Sequence, residues 1–519
     1  VYGGYYSQKD VKEVVEYATS RGVNVVPEIE MPGHSVAAIA AYPELSCTGE
    51  QREVETEWGV FKDIYCAGND HTFEFLKNVL DEVIELFPGK YIHIGGDEAP
   101  KVRWEQCSKC QKRIKDEGLH DEHELQSWFI QEIEKYLSSK GKQLIGWDEI
   151  LEGGLADGAM VQSWRGMEGG IQAAESGHDV IMSPTSHCYF DYGLNSIDLK
   201  KVYSFYPVPS QLSDKEKEHV LGAECNMWSE RAPYDLVDSK VFPRILAMSE
   251  VLWSDSVGRD FEEFYQRVQK HYPRLSALGV DYGLETDPIS YATEVNDGKL
   301  ELVINKGVPD LDIFYSTRDS TPTPSDTKVE EGIEVSSTGT YFVQAFKNDK
   351  SYGEPVAVEV THHKAIGIIP EYGADFSFYY TGGGRTAMTN GLKGTLDFRD
   401  GNWQAFQYDD IELIFEVNGM DISSVETNFY QYNNSWVFLP EYVEYSLSLD
   451  GENYKFLGRV ENETSPKKDG AFIESFKSEF KTHKGKYLKV KAKNMQYCPE
   501  WHEAAGSPTW LFIDEVIVK

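Results

Sequence analysis

Apolar residues along the first half of the chain come in short runs, each followed by a loop and then by a stretch of helical periodicity. The runs are 23–30 (VNVVPEIE), 91–95 (YIHIG), 143–147 (QLIGW), 159–164 (AMVQSW), 179–183 (DVIMS) and 220–228 (VLGAECNMW). Helices are predicted over 8–20, 72–87, 122–140 and 261–278. In 72–87, Phe75, Val79, Val83 and Leu86 recur at the spacing of one helical face. Strands that alternate with helices build a parallel sheet. The pattern changes near Gly283. From about Leu300 to Val360, apolar and polar residues alternate between Gly, Pro and Asp turns, which predicts a small β-sandwich. A larger all-β region runs from about Lys364 to Lys519. In it Asp450-Gly451 marks a hairpin, and Leu488, Val490 and Ala492 face inward between outward lysines.

One feature recurs along the six predicted strands. The C-terminal ends of most carry chemically distinctive residues: Glu28, Glu30 and His34; Asp97-Glu98; Trp147-Asp148-Glu149; Trp164-Arg165; Trp228 and Glu230; and past the fifth strand come Tyr189 and Asp191. Functional groups gathered at that end of parallel strands are what a (β/α)8 barrel produces. The expected organisation is an α/β fold, a TIM barrel over 1–283 comprising strands three to eight. Two all-β domains follow: an Ig-like sandwich over 284–363 and a jelly roll over 364–519. The first two strands are expected upstream, in a part of the same polypeptide that completes the barrel.

Composition narrows the chemistry. The 519 residues include 50 basic and 86 acidic side chains, a formal charge of −36. That disfavours nucleic acid, whose binding rests on cations that neutralise phosphates. No run reaches the ~18 apolar residues of a membrane span. Aromatic content is 13%, with 11 Trp and 31 Tyr, side chains that offer flat apolar faces with a polar tip.

Asp97 and Glu98 follow Gly95-Gly96, a pair that lets a strand end and turn. Adjacent residues on a strand face opposite ways, so two neighbouring acids share a pocket only at such a break. The common reading of an Asp-Glu pair is a solvated turn. Aromatic residues on the neighbouring strand ends favour a sugar-cleaving site instead, with an acid for the glycosidic oxygen and ring faces for the pyranose.

"HIGGDE", with "EIEMPGH" before it and "GWDE", "QSWRG", "CYFDY" and "NMWSE" after it, resembles the family 20 glycoside hydrolases, the β-N-acetylhexosaminidases. The likeness spans roughly Gly3 to Tyr282. It departs at Glu30, where that family usually has Asp, and lacks the family's sugar-gripping arginine, which is expected upstream. The resemblance implies an exo-acting, retaining enzyme that removes terminal β-linked GlcNAc or GalNAc from glycans. In that mechanism the substrate's own 2-acetamido group is the nucleophile. Glu98 is then the general acid and base, and Asp97 orients the acetamido group. Tyr189 hydrogen-bonds the acetamido oxygen, and His34 contacts the acid. Trp147, Trp164 and Trp228 wall the pocket, while Asp191 and Glu230 bind outer hydroxyls. The alternative is a non-catalytic glycan-binding protein on a decayed barrel. The rear domains resemble the small β domains and discoidin-like, galactose-binding jelly rolls that follow such barrels. Jelly rolls of this kind sometimes hold a structural calcium, for which no ligands stand out; no other cofactor is expected.

Seven cysteines are too few for a disulfide scaffold. Cys47 and Cys66 flank a polar loop, and the expectation is that they pair, as suits a periplasmic, cell-surface or secreted bacterial protein. Cys107-Ser-Lys-Cys110 has zinc-like spacing, but no second close pair follows it, so no metal site is expected. Cys188 and Cys225 read as buried thiols. Asp148 and Glu149 read as members of a structural ion pair.

Overall fold

The computed structural model describes residues 4–519 apart from 57, 58, 255, 297 and 503. Gly3, where the likeness to family 20 begins, lies outside the described residues. The chain divides into two compact units, Val1–Thr286 and Asp287–Lys519.

The first unit is built on a five-stranded parallel sheet in sequence order: β1 (Tyr91–His93), β2 (Gln143–Trp147), β3 (Met160–Ser163), β4 (Val180–Met182) and β5 (Val220–Ala223). The 23–30 run contributes no full strand. It adds to β1 through a parallel bridge from Glu28 to His93. Pro27 O accepts from His93 N–H, and Ile29 and Met31 N–H donate to the carbonyls of His93 and Ile94, each at 2.9 Å. Six parallel segments therefore lie side by side in chain order. Ile92, Ile94, Leu144, Val161 and Val180 are buried between this array and helices such as Asp70–Leu86 and Glu122–Ser139.

Two helix expectations are corrected. Helix Asp70–Leu86 buries Thr72, Phe73, Leu76 and Leu80. The predicted stripe of Phe75, Val79, Val83 and Leu86 lies at the margin of that face, half-buried. Its period is right, but the large Phe73 and Leu76 draw the buried face round by part of a turn. The predicted 261–278 helix is two helices, Phe261–Gln269 and Tyr272–Ala277. Pro273 sits in the first turn of the second, where its missing N–H costs nothing.

The second unit is all β. A three-stranded antiparallel sheet runs Ile333–Val335, Lys299–Lys306, Ile289–Asn296. A second sheet centres on Gly339–Lys347, paired with Asp312–Ser316 and Val356–Val360. Beyond them a five-stranded and a four-stranded antiparallel sheet share one core. Leu413, Val443 and Leu488 of the former meet Phe429, Phe476 and Ile513 of the latter. Asp450 closes the predicted hairpin: its carboxylate accepts from the N–H groups of Glu452 and Asn453. Trp403 is buried in this unit, whereas Trp436 is 40% exposed in a left-handed turn. Among the described residues of this unit, no three His, Cys, Asp or Glu side chains converge as a metal-binding group.

The expected Cys47–Cys66 disulfide is not formed; both are free thiols. Cys107 and Cys110 occupy the same space, so Cys66 faces three sulfurs rather than one.

Candidate active site

The site is built where the parallel segments end. The ladder between β1 and β2 continues one step past β1, with Trp147 N–H donating to Gly95 O at 2.8 Å. The backbone then turns with positive φ at Gly95 (+67°) and Gly96 (+96°). A Cβ on Gly95 would lie 1.9 Å from the Glu30 carboxylate, so only glycine lets that side chain close over the turn. Glu30 Oε1 accepts from Gly96 N–H at 2.9 Å. The break delivers Asp97 and Glu98 to one cavity.

That cavity has a volume of about 370 Å³. All nine side chains singled out from the sequence line it: His34, Asp97, Glu98, Trp147, Trp164, Tyr189, Asp191, Trp228 and Glu230. Glu28, Glu30, Tyr192 and Arg231 join them. Tyr192 and Arg231 were missed, although each directly follows a predicted residue. The Arg231 guanidinium lies 4.9 Å from the Tyr192 ring centre.

The walls are aromatic. Trp147 and Trp228 ring centres are 6.0 Å apart, and those of Trp164 and Tyr189 are 6.4 Å apart. Hydrogen bonds fix the indoles: Trp147 Nε1 donates to Glu28 and Trp164 Nε1 to Glu149. Glu149 and its neighbour Asp148 are buried, and both face Arg165, at 3.7 and 3.3 Å. Glu149 thus supports the tryptophan wall from behind, and Asp148 shares its Arg165 partner. Burial pushes Glu149 up to about 7. Burial also raises Tyr189, which keeps its hydroxyl a donor at neutral pH.

The charged floor is a triad. His34 Nε2 lies 3.2 Å from Glu98 Oε2 and 3.6 Å from Asp97 Oδ2. The interactions with Asp97 and then with Glu98 push the imidazole up to about 10. Burial and the neighbouring Asp97 charge hold Glu30 well above the usual carboxylate range. Asp97 Oδ1 and Asp191 Oδ1 are buried with no hydrogen-bond partner among the described residues. A buried oxygen of that kind costs free energy unless a donor arrives, so both mark places where a ligand N–H or O–H belongs.

Residues 1–256 match the model for the catalytic domain of glycosyl hydrolase family 20. The N-terminal unit belongs to that family. The open parallel array is its TIM-barrel domain. Relatives of this chain include the β-hexosaminidase of Porphyromonas gingivalis, 43% identical over 359 residues, 65% of this chain and 45% of that protein. The human β-hexosaminidase subunit beta is 30% identical over 283 residues, 53% of this chain and 50% of that protein. The crystal structure of β-N-acetylhexosaminidase from Bacteroides fragilis NCTC 9343 aligns with a TM-score of 0.50 at 35% identity, covering 55% of this chain and 59% of that one. The exo β-N-acetylglucosaminidase of Vibrio harveyi, solved in complex with N-acetylglucosamine, aligns with a TM-score of 0.50 at 29% identity, covering 55% and 47%. The chain spans about half the length of the relatives it matches.

Proposed function

We propose that this family 20 chain removes terminal β-linked GlcNAc or GalNAc from glycans, with retention and with the substrate's acetamido group as nucleophile. The observation that carries the reading is Asp97 Oδ1. It is a buried carboxylate oxygen without a hydrogen-bond partner among the described residues, beside Glu98, in a cavity walled by Trp147, Trp164 and Trp228. In the first step the acetamido carbonyl oxygen attacks the anomeric carbon and the glycosidic C–O bond breaks. Glu98 gives its proton to the departing oxygen. Asp97 accepts from the acetamido N–H and offsets the positive charge of the oxazolinium that forms. Tyr189 donates to the acetamido oxygen and aims it. Water then attacks the anomeric carbon, Glu98 takes its proton, and the acetamido group is released unchanged. Asp191 and Glu230 accept from outer hydroxyls.

Cavity size supports exo action. A volume of about 370 Å³ is near the lower end of small-molecule sites and suits one sugar ring. The P. gingivalis and human relatives are named β-hexosaminidases, and the V. harveyi one was solved with GlcNAc. The same reading puts the enzyme in the periplasm, on the cell surface or outside the cell, where it would meet glycan ends. In the second unit, the sheets before Val360 fit an Ig-like sandwich, and the paired sheets after Lys364 fit a galactose-binding-like jelly roll.

The test is release of nitrophenol from aryl β-GlcNAc and β-GalNAc by the full-length protein, with and without a thiazoline mimic of the oxazolinium. Turnover blocked by the thiazoline is expected. A folded protein with no turnover, or turnover indifferent to the thiazoline, would overturn the mechanism.

A further inference from the structure

Four cysteines from three separate segments converge in the first unit, away from the sugar cavity. Cys47 follows the short turn Pro43–Leu45. Cys66 is held against that turn, its N–H donating to Leu45 O at 2.8 Å. Cys107 caps the helix Ser108–Glu117, and Cys110 lies in that helix's first turn. The sulfurs of Cys47 and Cys110 are 3.8 Å apart, those of Cys66 and Cys107 3.8 Å, and those of Cys66 and Cys110 3.6 Å. All four lie within 4.8 Å of one another, and all but half-buried Cys47 are buried.

These distances discriminate between chemistries. A disulfide brings two sulfurs to about 2.0 Å and leaves the other pair independent. Here Cys66 is nearly equidistant from Cys107 and Cys110, so no pairing is favoured. Tetrahedral zinc at about 2.3 Å from each sulfur sets its ligands about 3.8 Å apart, the spacing observed. Two further features fit an anionic four-thiolate centre. Cys107 and Cys110 sit at a helix N-terminus, whose dipole favours negative charge. The Cys66–Gly68 turn is pressed onto the helix start: a Cβ on Gly68 would lie 2.2 Å from the Lys109 carbonyl carbon and 2.3 Å from Cys110 N. A side chain there would separate the two halves of the cluster.

We propose that Cys47, Cys66, Cys107 and Cys110 hold one structural zinc ion that staples the 43–66 segment to the start of the Ser108–Glu117 helix. The staple lies behind the active site. Tyr65, next to Cys66, donates its N–H to Pro32 O at 3.0 Å, two residues before His34. Tyr65 O accepts from the Trp104 indole at 2.9 Å, in the helix that follows Asp97-Glu98. Asp63 pairs with Arg52 and Arg103 across the same junction. Zinc therefore fixes the platform on which the His34 turn rests, and its donor set leaves no open position for substrate or water.

The test is elemental analysis of full-length protein purified without metal-affinity resin, with X-ray absorption at the zinc edge. About one zinc per chain, surrounded by four sulfurs at about 2.3 Å, is expected. Cys110→Ser should lower the zinc content at least about tenfold, and Cys498→Ser, in the second unit, should leave it unchanged. Wild-type protein without zinc overturns the proposal, as do disulfides among these four in a non-reduced digest, iron in place of zinc, or a shell of nitrogen and oxygen pointing to His34, Asp97 and Glu98. If Cys110→Ser fails to fold, the wild-type absorption spectrum decides alone.

Discussion

His34 and Glu98 meet at 3.2 Å, Nε2 to Oε2, and both do so from left-handed backbone, with φ of +43° in each. Neither is glycine, so each conformation costs on the order of 1–3 kcal/mol. The strain is held by close contact between the two turns: a Cβ on Gly33 would stand 2.7 Å from Asp97 O. The geometry keeps a cationic imidazole against Asp97 and Glu98 at neutral pH.

Stability of the His34 triad should depend on pH. His34 is raised from an ordinary 6.5 to about 10 in the folded protein. The folded state therefore binds the extra proton more tightly than the unfolded chain does. Its stabilising effect is complete below about pH 6.5 and is lost as pH rises through about 10. His34→Gln should lower Tm by several degrees at pH 6, and the deficit should shrink steadily toward pH 10. A deficit that stays constant, or grows with pH, would contradict the charged triad.

Glu98→Gln keeps the size of the side chain and removes its acid. Loss should be severe, about 100-fold or more in kcat/KM, for a basic alcohol leaving group. It should be clearly smaller for an activated leaving group that departs without a proton. Brønsted analysis across aryl substrates measures this. Equal losses along the series would remove Glu98 from the acid role.

Asp97→Asn should act on the cyclisation instead. With the negative charge gone, the oxazolinium loses its counter-charge whatever leaves. A loss of about 100-fold or more in kcat, similar for good and poor leaving groups, is expected. Comparing the two leaving-group series separates the roles of two adjacent residues. An Asp97→Asn profile that matched Glu98→Gln would merge them into one function.

The strand-end residues could be read from sequence because each lies within a residue or two of its own glycine, turn or apolar run. Trp147 ends β2, and Asp97 follows the Gly95-Gly96 break directly. Adjacency in the chain there reports adjacency in space. The cysteine cluster has no such local signature. Cys107 and Cys110 carry a recognisable spacing, but Cys47 and Cys66 lie upstream on opposite sides of a long loop. The bridge between Ser46 and Tyr65 brings them together. The marginal stripe on helix Asp70–Leu86 failed for a related reason: periodicity fixes a helix, while the choice between two neighbouring apolar faces is made by what packs against it. Trp436, which as a tryptophan reads as core, is 40% exposed because it sits in the left-handed turn that ends Asn433–Ser435, which its residue type does not announce.

Gly95→Ala tests the turn that makes the site. Two costs combine. Alanine at a φ of +67° pays about 1–2 kcal/mol in backbone strain. Its methyl would also fall 1.9 Å from Glu30 Oε2, which must swing away and release Gly96 N–H. Total destabilisation of about 2–4 kcal/mol is expected, with a fall in kcat/KM because Asp97 follows this turn directly. The two costs can be separated. In Gly95→Ala combined with Glu30→Ala, the collision is absent and only the backbone term and the loss of the Glu30 hydrogen bond remain. Truncating Glu30 should therefore destabilise less in the Gly95→Ala background than in the wild type, measured as a double-mutant cycle in urea. Strictly additive effects would show that Glu30 does not close over Gly95, and an unchanged Tm for Gly95→Ala would show that the turn is not constrained as described.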